Sequence, residues 1–531
     1  MPFHRIAEHD EREEPPEEAF HLLAEQGFGN RLIPREYGGL LGSFEELMSL
    51  MRILSRREAG LALGYGSSFF AAFPTWPWGS AAQRGFAADR LRAGAFGAIA
   101  LSEDQAGSDL LATQTTAVRT PGGFCLDGEK WPIGNATRSE FVTVLARTEP
   151  GHSLLLADKS ALPSDGFRHL PKVAMLGLRG HELSGIAFQR CDVPKSALIG
   201  ELGQGVEMVL SGLAITRCLV GGMCLGMADT ALRIAVRWAL ERRLYGREIL
   251  ALAPVREALT SAFADLLIAD CVAITAARAL TLRPERASLW SAVSKYLVPA
   301  LCQQVVWGAA QVLSARFYMR THVTSGMMQK LHRDIAFTGI VDGTQHVQLA
   351  AIAGQLRTLA ARTGPAHPGI PELFSLATTA PAWRPPAARS GPWRADQDEI
   401  TQSWRDETAP GQTAVAHLAD LRRHQGTLMT EARELRWPGR PPARAYELAR
   451  RHCVIHAAAT CHQIWVGNRD LIGQEFAQGG WLTLCLERLR AMLGDAPSEP
   501  RSAMVDDEVA GWLLRAAEAG QMFSVIPVPQ G

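Results

Sequence analysis

The densest group of residues able to bind a metal ion lies between positions 452 and 462. Two histidines, His452 and His456, would share one helical face because they are four residues apart, and Cys453, Cys461 and His462 lie close by in the sequence. No third ligand is forced onto that face, and Cys461 lies more than a turn away from it. We therefore predict that these side chains serve core and interface packing, and we predict no metal site.

A second group of interest is the carboxylate Asp342, which stands directly before Gly343 and Thr344 near the end of a long apolar region. An aspartate at such a place is a helix N-cap or a turn residue. A carboxylate is also a general base when it is held at a weakly acidic C–H bond. The residues alone leave these alternatives open.

The glycines of residues 200–205 read Gly-x-x-Gly-x-Gly. The segment lacks the strand-helix-strand context of a dinucleotide fingerprint, so we interpret it as the turn into the helices that follow. No Gly-x-Ser-x-Gly elbow indicates a hydrolase.

The elements that must position these residues follow from the hydrophobic periodicity. Helical spacing up to residue 94 gives way to short apolar runs with turn residues between 95 and 200, and helical spacing returns in four long segments up to about 362. We predict an α+β fold with a central antiparallel β domain, a C-terminal four-helix bundle and an extra all-α domain. The predicted domains are 1–94 (N-terminal helical), 95–200 (β-barrel-like), 201–364 (helix bundle), 365–411 (Pro-rich surface linker) and 412–531 (additional helical).

Composition narrows the class of protein. The chain has 531 residues, of which 47% are hydrophobic, and its 54 basic and 54 acidic residues cancel. This balance favours a small or uncharged ligand over nucleic acid. Nine scattered cysteines without a CxxC pair indicate reduced thiols, and the first residues lack a signal-peptide pattern. We predict a cytoplasmic protein without an integral membrane segment.

Five segments, in the right order and spacing, give the chain a resemblance to a known family. They are IPREYGG at 33–39, LSEDQAGSD at 101–109, LDGEKWPIGNA at 126–136, LERRLYG at 240–246, and LHRD at 331–334 followed by DGT at 342–344. The second and third are similar to the Thr-Glu-Pro-Gly-Ala-Gly-Ser-Asp and Asn-Gly-x-Lys-x-Trp-Ile-Thr-Asn elements of the acyl-CoA dehydrogenase family, and the last two to its Glu-Arg-x-x-Phe-Gly and Arg-Asp…Glu-Gly-Thr blocks. The resemblance covers residues 20–362.

The resemblance implies FAD as cofactor and an acyl thioester as substrate. In this family a carboxylate removes the α-proton while the β-hydrogen leaves as hydride to the flavin, and the protein aims the base and holds the cofactor. The base falls on Asp342, where the family most often has glutamate. Its side chain is shorter by one methylene, roughly 1.5 Å of reach.

The resemblance also implies a set of cofactor residues, several of which depart from the family pattern. Ser102 replaces a threonine, Pro132 replaces the usual tryptophan, and Gly134 replaces a threonine near flavin N5. Trp131 is one position off and would point to the opposite face of the strand unless a bulge re-aims it. The implied cofactor-binding residues are Leu101, Ser102, Ile133, Gly134, Arg242, Tyr245, Gln311, Thr344 and His346.

Two of these positions carry specific expectations. Arg242 matches an arginine that pairs with the FAD pyrophosphate across a subunit interface. Gln311 opens a Gln-x-x-Gly-Gly motif whose glycines are here Ser314 and Ala315, so we expect an altered backbone approach to the cofactor.

The implied substrate-binding residues are Ser108, Arg217 and Gly343. The family's Asp-x-x-Arg reads Ala214-Ile215-Thr216-Arg217, which fits either an altered carrier contact, such as an acyl carrier protein, or drift in a surface groove. The C-terminal unit is similar in placement to the added domain of the very-long-chain branch, which implies a homodimer.

We therefore expect an FAD-dependent oxidoreductase of acyl-CoA dehydrogenase type, with an electron-transfer flavoprotein or oxygen as electron acceptor. Two alternatives remain. One is oxidation of a carrier-protein-bound thioester in a specialised biosynthetic pathway, and the other is a non-redox homologue that binds thioesters or acts as a scaffold.

Overall fold

The computed structural model describes residues 1–362, 368–385, 397–402, 404, 408–437, 439–495 and 503–526. Its contacts divide the chain into two compact units. The first comprises Met1–Leu219 and a segment that begins at Pro381, and the second comprises Val220–Ala380 and the chain from residue 394 onward.

Six helices open the first unit. Two of them begin at a serine cap: the Ser43 hydroxyl accepts a hydrogen bond from Glu46 N, and Ser80 forms a reciprocal capping box with Gln83. The helices are α1 (Phe3–Arg12), α2 (Glu17–Glu25), α3 (Phe44–Ser55), α4 (Ala59–Ala72), α5 (Thr75–Trp78) and α6 (Ala81–Arg92).

Seven strands follow and form one sheet in the order β1-β4-β2-β3-β7-β6, with β5 paired to β4. Most pairs are antiparallel, as predicted, but β1 and β2 each pair with β4 in parallel. The prediction of an antiparallel domain is wrong for those two pairs, because the chain passes through β2 and β3 and then returns as β4 between β1 and β2, in the same direction as both. The strands are β1 (Gly97–Ala100), β2 (Thr116–Thr120), β3 (Gly123–Gly134), β4 (Phe141–Arg147), β5 (His152–Asp158), β6 (Phe167–Leu170) and β7 (Leu183–Pro194).

Strand β3 contains a bulge at Trp131 and Pro132. Lys130 pairs with Ile186 and Ile133 pairs with Ser184, so three steps along β3 match two along β7. The extra residue keeps both Lys130 and Ile133 on the buried side of the strand. A strict two-residue alternation, on which the prediction for Trp131 depended, therefore does not hold here.

The region predicted as four long helical segments contains five helices and a β-hairpin. Helix α7 begins in the first unit and continues into the second, and a turn divides the last predicted segment into α10 and α11. The elements are α7 (Gly205–Glu241), β8 (Arg243–Leu244), β9 (Arg247–Glu248), α8 (Ala253–Leu282), α9 (Ala287–Leu313), α10 (Met327–Thr338) and α11 (Gln345–Ala361).

Three of these helical segments are long and apolar enough to cross a membrane, judged by length and composition alone. They are Gly205–Glu241, Ala253–Leu282 and Pro284–Tyr318. Within this fold, 78%, 89% and 61% of their respective apolar windows are buried. Their apolar surface is thus mostly covered by protein.

The Pro-rich stretch, predicted to be a linker over the surface, is anchored at several described points. Trp383 belongs to the first unit, where its ring packs against Phe44 and Phe73. Its backbone N–H donates a hydrogen bond to the Gly42 carbonyl. In the second unit, α12 (Ile370–Phe374) and α13 (Glu399–Gln402) are largely buried. These points are buried because the stretch has apolar and aromatic residues between its prolines, and removing apolar surface from water is favourable.

The remaining helices pack in the second unit together with α8, α9 and α11. They are α14 (Gln412–Glu434), α15 (Ala443–Asn468), α16 (Gln474–Gln478), α17 (Gly480–Met492) and α18 (Ala503–Glu518).

A short segment after α18 is held by two buried aspartates. Phe523 N donates to Asp229 Oδ2 at 2.7 Å, while Ser524 Oγ and Val525 N donate to Asp270 Oδ2 at 2.6 and 2.9 Å. This segment therefore belongs to the core of the helical unit.

Candidate functional site

The predicted base lies in the turn between α10 and α11. Asp342 is half-buried and has φ 54°, and Gly343 follows with φ 96°. The N-cap of α11 is Thr344, whose hydroxyl accepts from Val347 N. The cap alternative for Asp342 is therefore excluded, because Thr344 takes that position, whereas the turn conformation belongs to Asp342 itself.

The left-handed backbone gives a reason for aspartate at this position. Aspartate and asparagine are several-fold enriched in that region relative to longer side chains, because their short polar groups can bond locally. A glutamate at residue 342 would need the same backbone angle without that advantage.

Two buried side chains donate hydrogen bonds to backbone carbonyls at this turn. Lys295 Nζ, on α9, donates to the carbonyls of Thr338 at 2.8 Å and Gly343 at 3.3 Å. Gln348 Nε2, on α11, donates to the carbonyls of Asp342 at 3.3 Å and Gly343 at 3.1 Å. The backbone around Asp342 is thus fixed by side chains from two helices.

Arg242 precedes the hairpin β8–β9, and Tyr245 lies within it. Tyr245 and Gly246 form its turn, both with positive φ, and the Tyr245 ring is 87% exposed. Arg243 donates to the Gly246 carbonyl and lies 3.9 Å from Glu248. The Arg242 guanidinium, by contrast, makes no hydrogen bond or ion pair with any residue that the structure describes. An uncompensated guanidinium fits a phosphate anion, so Arg242 suits the predicted pyrophosphate contact.

Gln311 and His346 both present exposed side chains. Close to Gln311 in sequence, Ser314 adopts a backbone conformation typical of glycine, with φ 55° and ψ −142°. That combination is occupied almost entirely by glycine. The backbone at Ser314 thus has a conformation typical of glycine, and the altered approach to the cofactor stays a prediction.

In the first unit, Leu101 and Ser102 lie beside the bulge of β3. Trp131 N donates to the Ser102 carbonyl at 2.9 Å, and Lys130 Nζ donates to the Leu101 carbonyl at 2.9 Å. The structure thus brings together the two segments that the resemblance assigned to the flavin in this unit.

A buried ion pair supports these segments. Lys130 Nζ lies 2.8 Å from Glu103 Oε1, and Glu103 also accepts from the backbone N–H groups of Gln114 and Thr115. Burial alone would raise the pKa of Glu103, but the Lys130 ammonium and the two amides lower it to about 2. Burial lowers the pKa of Lys130, while Glu103 opposes that effect. The pair therefore fixes the loop after Ser102 as an ionised contact.

Gly134 has a neighbour that sequence reasoning did not identify, His181. A Cβ at residue 134 would lie 3.1 Å from His181 Nε2 and 3.2 Å from Ser67 Oγ. His181 thus occupies space that a threonine at 134 would need. Burial, with the charges of Arg138 and Lys172, lowers the pKa of His181 to about 3, so the imidazole is neutral at ordinary pH. Nothing in the local spacing around residue 181 signals this approach.

The three predicted substrate residues lie on different elements. Ser108 is exposed in the loop after β1, Arg217 is half-buried on α7, and Gly343 lies in the turn of the second unit. Ala214, which stands where the family has aspartate, is buried, with 2% of its surface exposed. An aspartate at that position would place a carboxylate in an apolar environment.

The histidines of α15 also have an unpredicted neighbour. Asp398, from the Pro-rich stretch, lies 3.2 Å from His452 Nε2 and 3.2 Å from His456 Nδ1. Sequence reasoning missed this carboxylate because it comes from a distant segment that carries no helical pattern.

Comparison with protein-family models matches most of the chain up to residue 356. The acyl-CoA dehydrogenase N-terminal domain matches residues 3–94, the middle domain residues 98–191 and the C-terminal domain residues 203–356. The three matched ranges agree with the helical, β and helical regions of the fold.

Relatives of known name extend this finding. The cyclohex-1-ene-1-carbonyl-CoA dehydrogenase of Geobacter metallireducens is 30% identical over 362 residues, which cover 65% of this chain and 90% of that protein. The probable acyl-CoA dehydrogenase FadE25 of Mycobacterium tuberculosis is 29% identical over 357 residues, covering 66% of this chain and 90% of that protein.

Solved structures share the fold. Butyryl-CoA dehydrogenase from Megasphaera elsdenii aligns with a TM-score of 0.62 at 24% identity and covers 66% of this chain and 92% of its own. An acyl-CoA dehydrogenase from Bacillus anthracis, complexed with FAD, aligns with a TM-score of 0.68 at 17% identity and covers 94% of this chain and 88% of its own. The second likeness therefore includes the helices beyond residue 362.

Proposed function

Because this chain belongs to the acyl-CoA dehydrogenase family and is an FAD-dependent oxidoreductase of acyl thioesters, we propose that Asp342 is the base that removes the substrate's α-proton. The observation that carries this proposal is the turn between α10 and α11. Its backbone is held by Lys295 and Gln348, while the N-cap role belongs to Thr344. The Asp342 side chain is thus not committed to capping.

Each of the proposed site residues has a distinct role. FAD, when bound, would supply the acceptor for the β-hydride. Asp342 takes the α-proton, and the buried donors beneath its turn keep the carboxylate aimed, because a general base must lie within hydrogen-bond reach of the proton it removes. Arg242, which has no counter-charge in the described part of the chain, holds the pyrophosphate. Ser102 offers a hydroxyl beside the flavin segment.

For the acyl carrier, coenzyme A is the principal proposal and an acyl carrier protein is the second. The residue type at Ala214 supports the second, since the family's carboxylate beside the arginine is absent here. A carrier protein would replace contacts that the nucleotide part of coenzyme A makes elsewhere in the family.

The experiment is anaerobic bleaching of the flavin absorption by matched acyl-CoA and acyl-carrier-protein thioesters. We expect Asp342→Asn to abolish bleaching and Asp342→Glu to retain part of it, with FAD content unchanged in both. Unchanged turnover in the asparagine variant would remove Asp342 from the mechanism. A purified protein that cannot be reconstituted with FAD would instead support the thioester-binding, non-redox alternative.

Preference for one thioester identifies the carrier. Reoxidation in air with hydrogen peroxide formation, compared with reoxidation by an electron-transfer flavoprotein, identifies the acceptor.

We also propose a cytoplasmic homodimer. All nine cysteines are free thiols, which fits a reducing compartment. The second unit exposes several large apolar side chains, and such surfaces usually mark interaction sites. These are Leu244, Tyr245, Trp307, Tyr318 and Met319. Sedimentation analysis of the purified flavoprotein tests the dimer; a monomer at working concentration contradicts it.

A further inference from the structure

A fully buried group of one carboxylate and two imidazoles lies in the second unit, outside every residue assigned to the flavin reaction. It consists of Asp398, next to α13, with His452 and His456, one turn apart on α15; we call it the His2Asp cluster. Their exposed fractions are 1%, 0% and 2%. One ligand atom from each lies within 4.8 Å of the other two. We propose that the His2Asp cluster binds one divalent transition-metal ion of the zinc class.

The two distances from the carboxylate to the imidazoles match a common metal centre. Asp398 Oδ2 is 3.2 Å from His452 Nε2 and 3.2 Å from His456 Nδ1. Metal bonds of about 2.0–2.1 Å in a tetrahedral arrangement place neighbouring ligand atoms about 3.3 Å apart. Two imidazole nitrogens and one carboxylate oxygen are donors that zinc and iron(II) accept, whereas magnesium and calcium prefer oxygen alone.

The hydrogen bonding of His452 is independent support for a metal ion. Neither of its ring nitrogens makes a hydrogen bond of acceptable geometry within the described part of the chain, although the ring is completely buried. Such buried polar atoms are rare, because each costs free energy when it has no partner. A metal ion at Nε2 would supply the missing partner.

The carboxylate is oriented in the way that metal ligands usually are. Trp290 Nε1 donates to Asp398 Oδ1 at 2.8 Å, and Thr401 Oγ1 donates to Asp398 Oδ2 at 3.1 Å. The indole can only donate, so Asp398 Oδ1 is the acceptor of this bond. A hydrogen bond to the oxygen that faces away from the metal is the common way of fixing a ligating carboxylate.

One of the three ligands also borders a cavity. A cavity of about 280 Å³ has Asp398 and Thr401 in its wall. The neighbouring carboxylate Glu399 is held between Arg283 and Arg286 and so does not compete for the ion. Three protein ligands would leave one coordination position for a water molecule from the cavity.

The remaining charges around the cavity are positive. Arg433 Nε donates to the Ala360 carbonyl, and the Arg422 guanidinium lies over the Trp404 ring. They oppose the entry of a cation, so the affinity depends on the three ligands rather than on the surrounding field.

The experiment uses the full chain, stripped with a chelator and then titrated with Zn²⁺ and, separately, Co²⁺. We expect one equivalent of metal, a rise in Tm on metal addition, and a Co²⁺ spectrum without the charge-transfer bands of thiolate ligands. A protein with native circular dichroism that binds no equivalent overturns the proposal. Thiolate bands also overturn it, because they would assign the metal to one of the nine cysteines.

Variants locate the ion. His456→Gln and Asp398→Asn should lose the equivalent, whereas the matched control His462→Gln should keep it, since that buried histidine of α15 contacts the Thr408 carbonyl instead. Trp290→Phe keeps all three ligands and should weaken binding by about ten- to a hundredfold. Metal binding by His456→Gln as tight as that of the unmodified chain overturns the proposal. If the ligand variants fail to fold, the stoichiometry and spectrum of the unmodified chain decide.

Discussion

At the scale of single residues, the structure gives a physical reason for two departures from the family pattern. Asp342 adopts a left-handed backbone that favours a short side chain, and Gly134 gives space to His181. The aspartate at the proposed base position and the glycine at residue 134 therefore each have a local structural reason. Neither neighbour relation is visible in the order of residues along the chain.

Lys295 positions the turn that carries Asp342. We expect Lys295→Met, which keeps the length of the side chain but removes its donors, to lower kcat by about ten- to a hundredfold, because a displacement of about 1 Å has that cost. FAD content and KM should change little.

The control is Lys330→Met, which removes another buried lysine of the same unit, one that pairs with Asp334. It should lower stability more than kcat. Equal loss of kcat in both variants would mean that Lys295 has only a structural role.

Arg242 and Arg243 form a matched pair of adjacent arginines. Arg242→Ala should weaken FAD binding by about ten- to a hundredfold, since a charged hydrogen bond contributes about 1.5–3 kcal/mol. Arg243→Ala removes an arginine that already contacts Gly246 and Glu248, and it should leave the affinity unchanged. Fluorescence titration of the apoprotein with FAD measures both, and equal effects would contradict the assignment.

The Glu103–Lys130 pair predicts a pH dependence of stability. Glu103 has a folded-state pKa of about 2 against an ordinary value of 4.5, so its stabilisation is present above pH 4.5 and is lost as the pH falls toward 2. Glu103→Gln should lower the free energy of unfolding at neutral pH by about 3–5 kcal/mol, because it leaves a buried ammonium without its partner.

Denaturant unfolding between pH 7 and pH 3 checks this prediction. The difference in stability between Glu103→Gln and the unmodified chain should shrink as the pH falls. A difference that does not depend on pH would show that the lost interaction is not ionic.

At the scale of elements, the motifs predicted local structure well where neighbours in sequence determine it. The turn at residues 342–344 and the helical periods of residues 205–361 follow from local residue types. The parallel pairing of β1 with β4, the bulge at Trp131 and the approach of Asp398 to α15 depend on segments distant in sequence. Periodicity within one segment contains no information about which distant segment it meets.

Ser314, at the C-terminal end of α9, has a strained backbone conformation. Its φ of 55° and ψ of −142° are expensive for any residue with a Cβ, so Ser314→Gly should stabilise the protein by about 1 kcal/mol. Ala315→Gly, at the next position and without a positive φ, should be neutral or destabilising. Equilibrium unfolding in urea measures both variants, and no gain for Ser314→Gly would place the strain elsewhere.

At the scale of the whole molecule, the helices of the predicted bundle and of the additional domain share one compact unit, and the Pro-rich stretch contributes to both units. Trp383 adds to the first unit and Trp404 to the second, each largely buried. Composition correctly identified a segment rich in turns. It did not predict which of its apolar residues would be anchored, because that depends on the surfaces available in the folded chain.

The segment that follows α18 should be required for the stability of the second unit. A chain cut after Gly520 loses the burial of Phe523 and Val525 and the donors to Asp229 and Asp270. We expect a loss of about 3–6 kcal/mol. A chain cut after Ile526 keeps all of these contacts and serves as the control. Equal stability of the two shortened chains, measured by thermal unfolding, would contradict this role.

That arrangement has a consequence for biosynthesis. Asp229 and Phe523 are 294 residues apart, so at about 5–20 residues per second the ribosome needs about 15–60 s to make the partner after the aspartate. Helices α7, α8 and α9 leave the exit tunnel long before the segment that completes their core. The nascent chain therefore presents long apolar helices for tens of seconds, and the protein should depend on chaperones that shield such intermediates during translation.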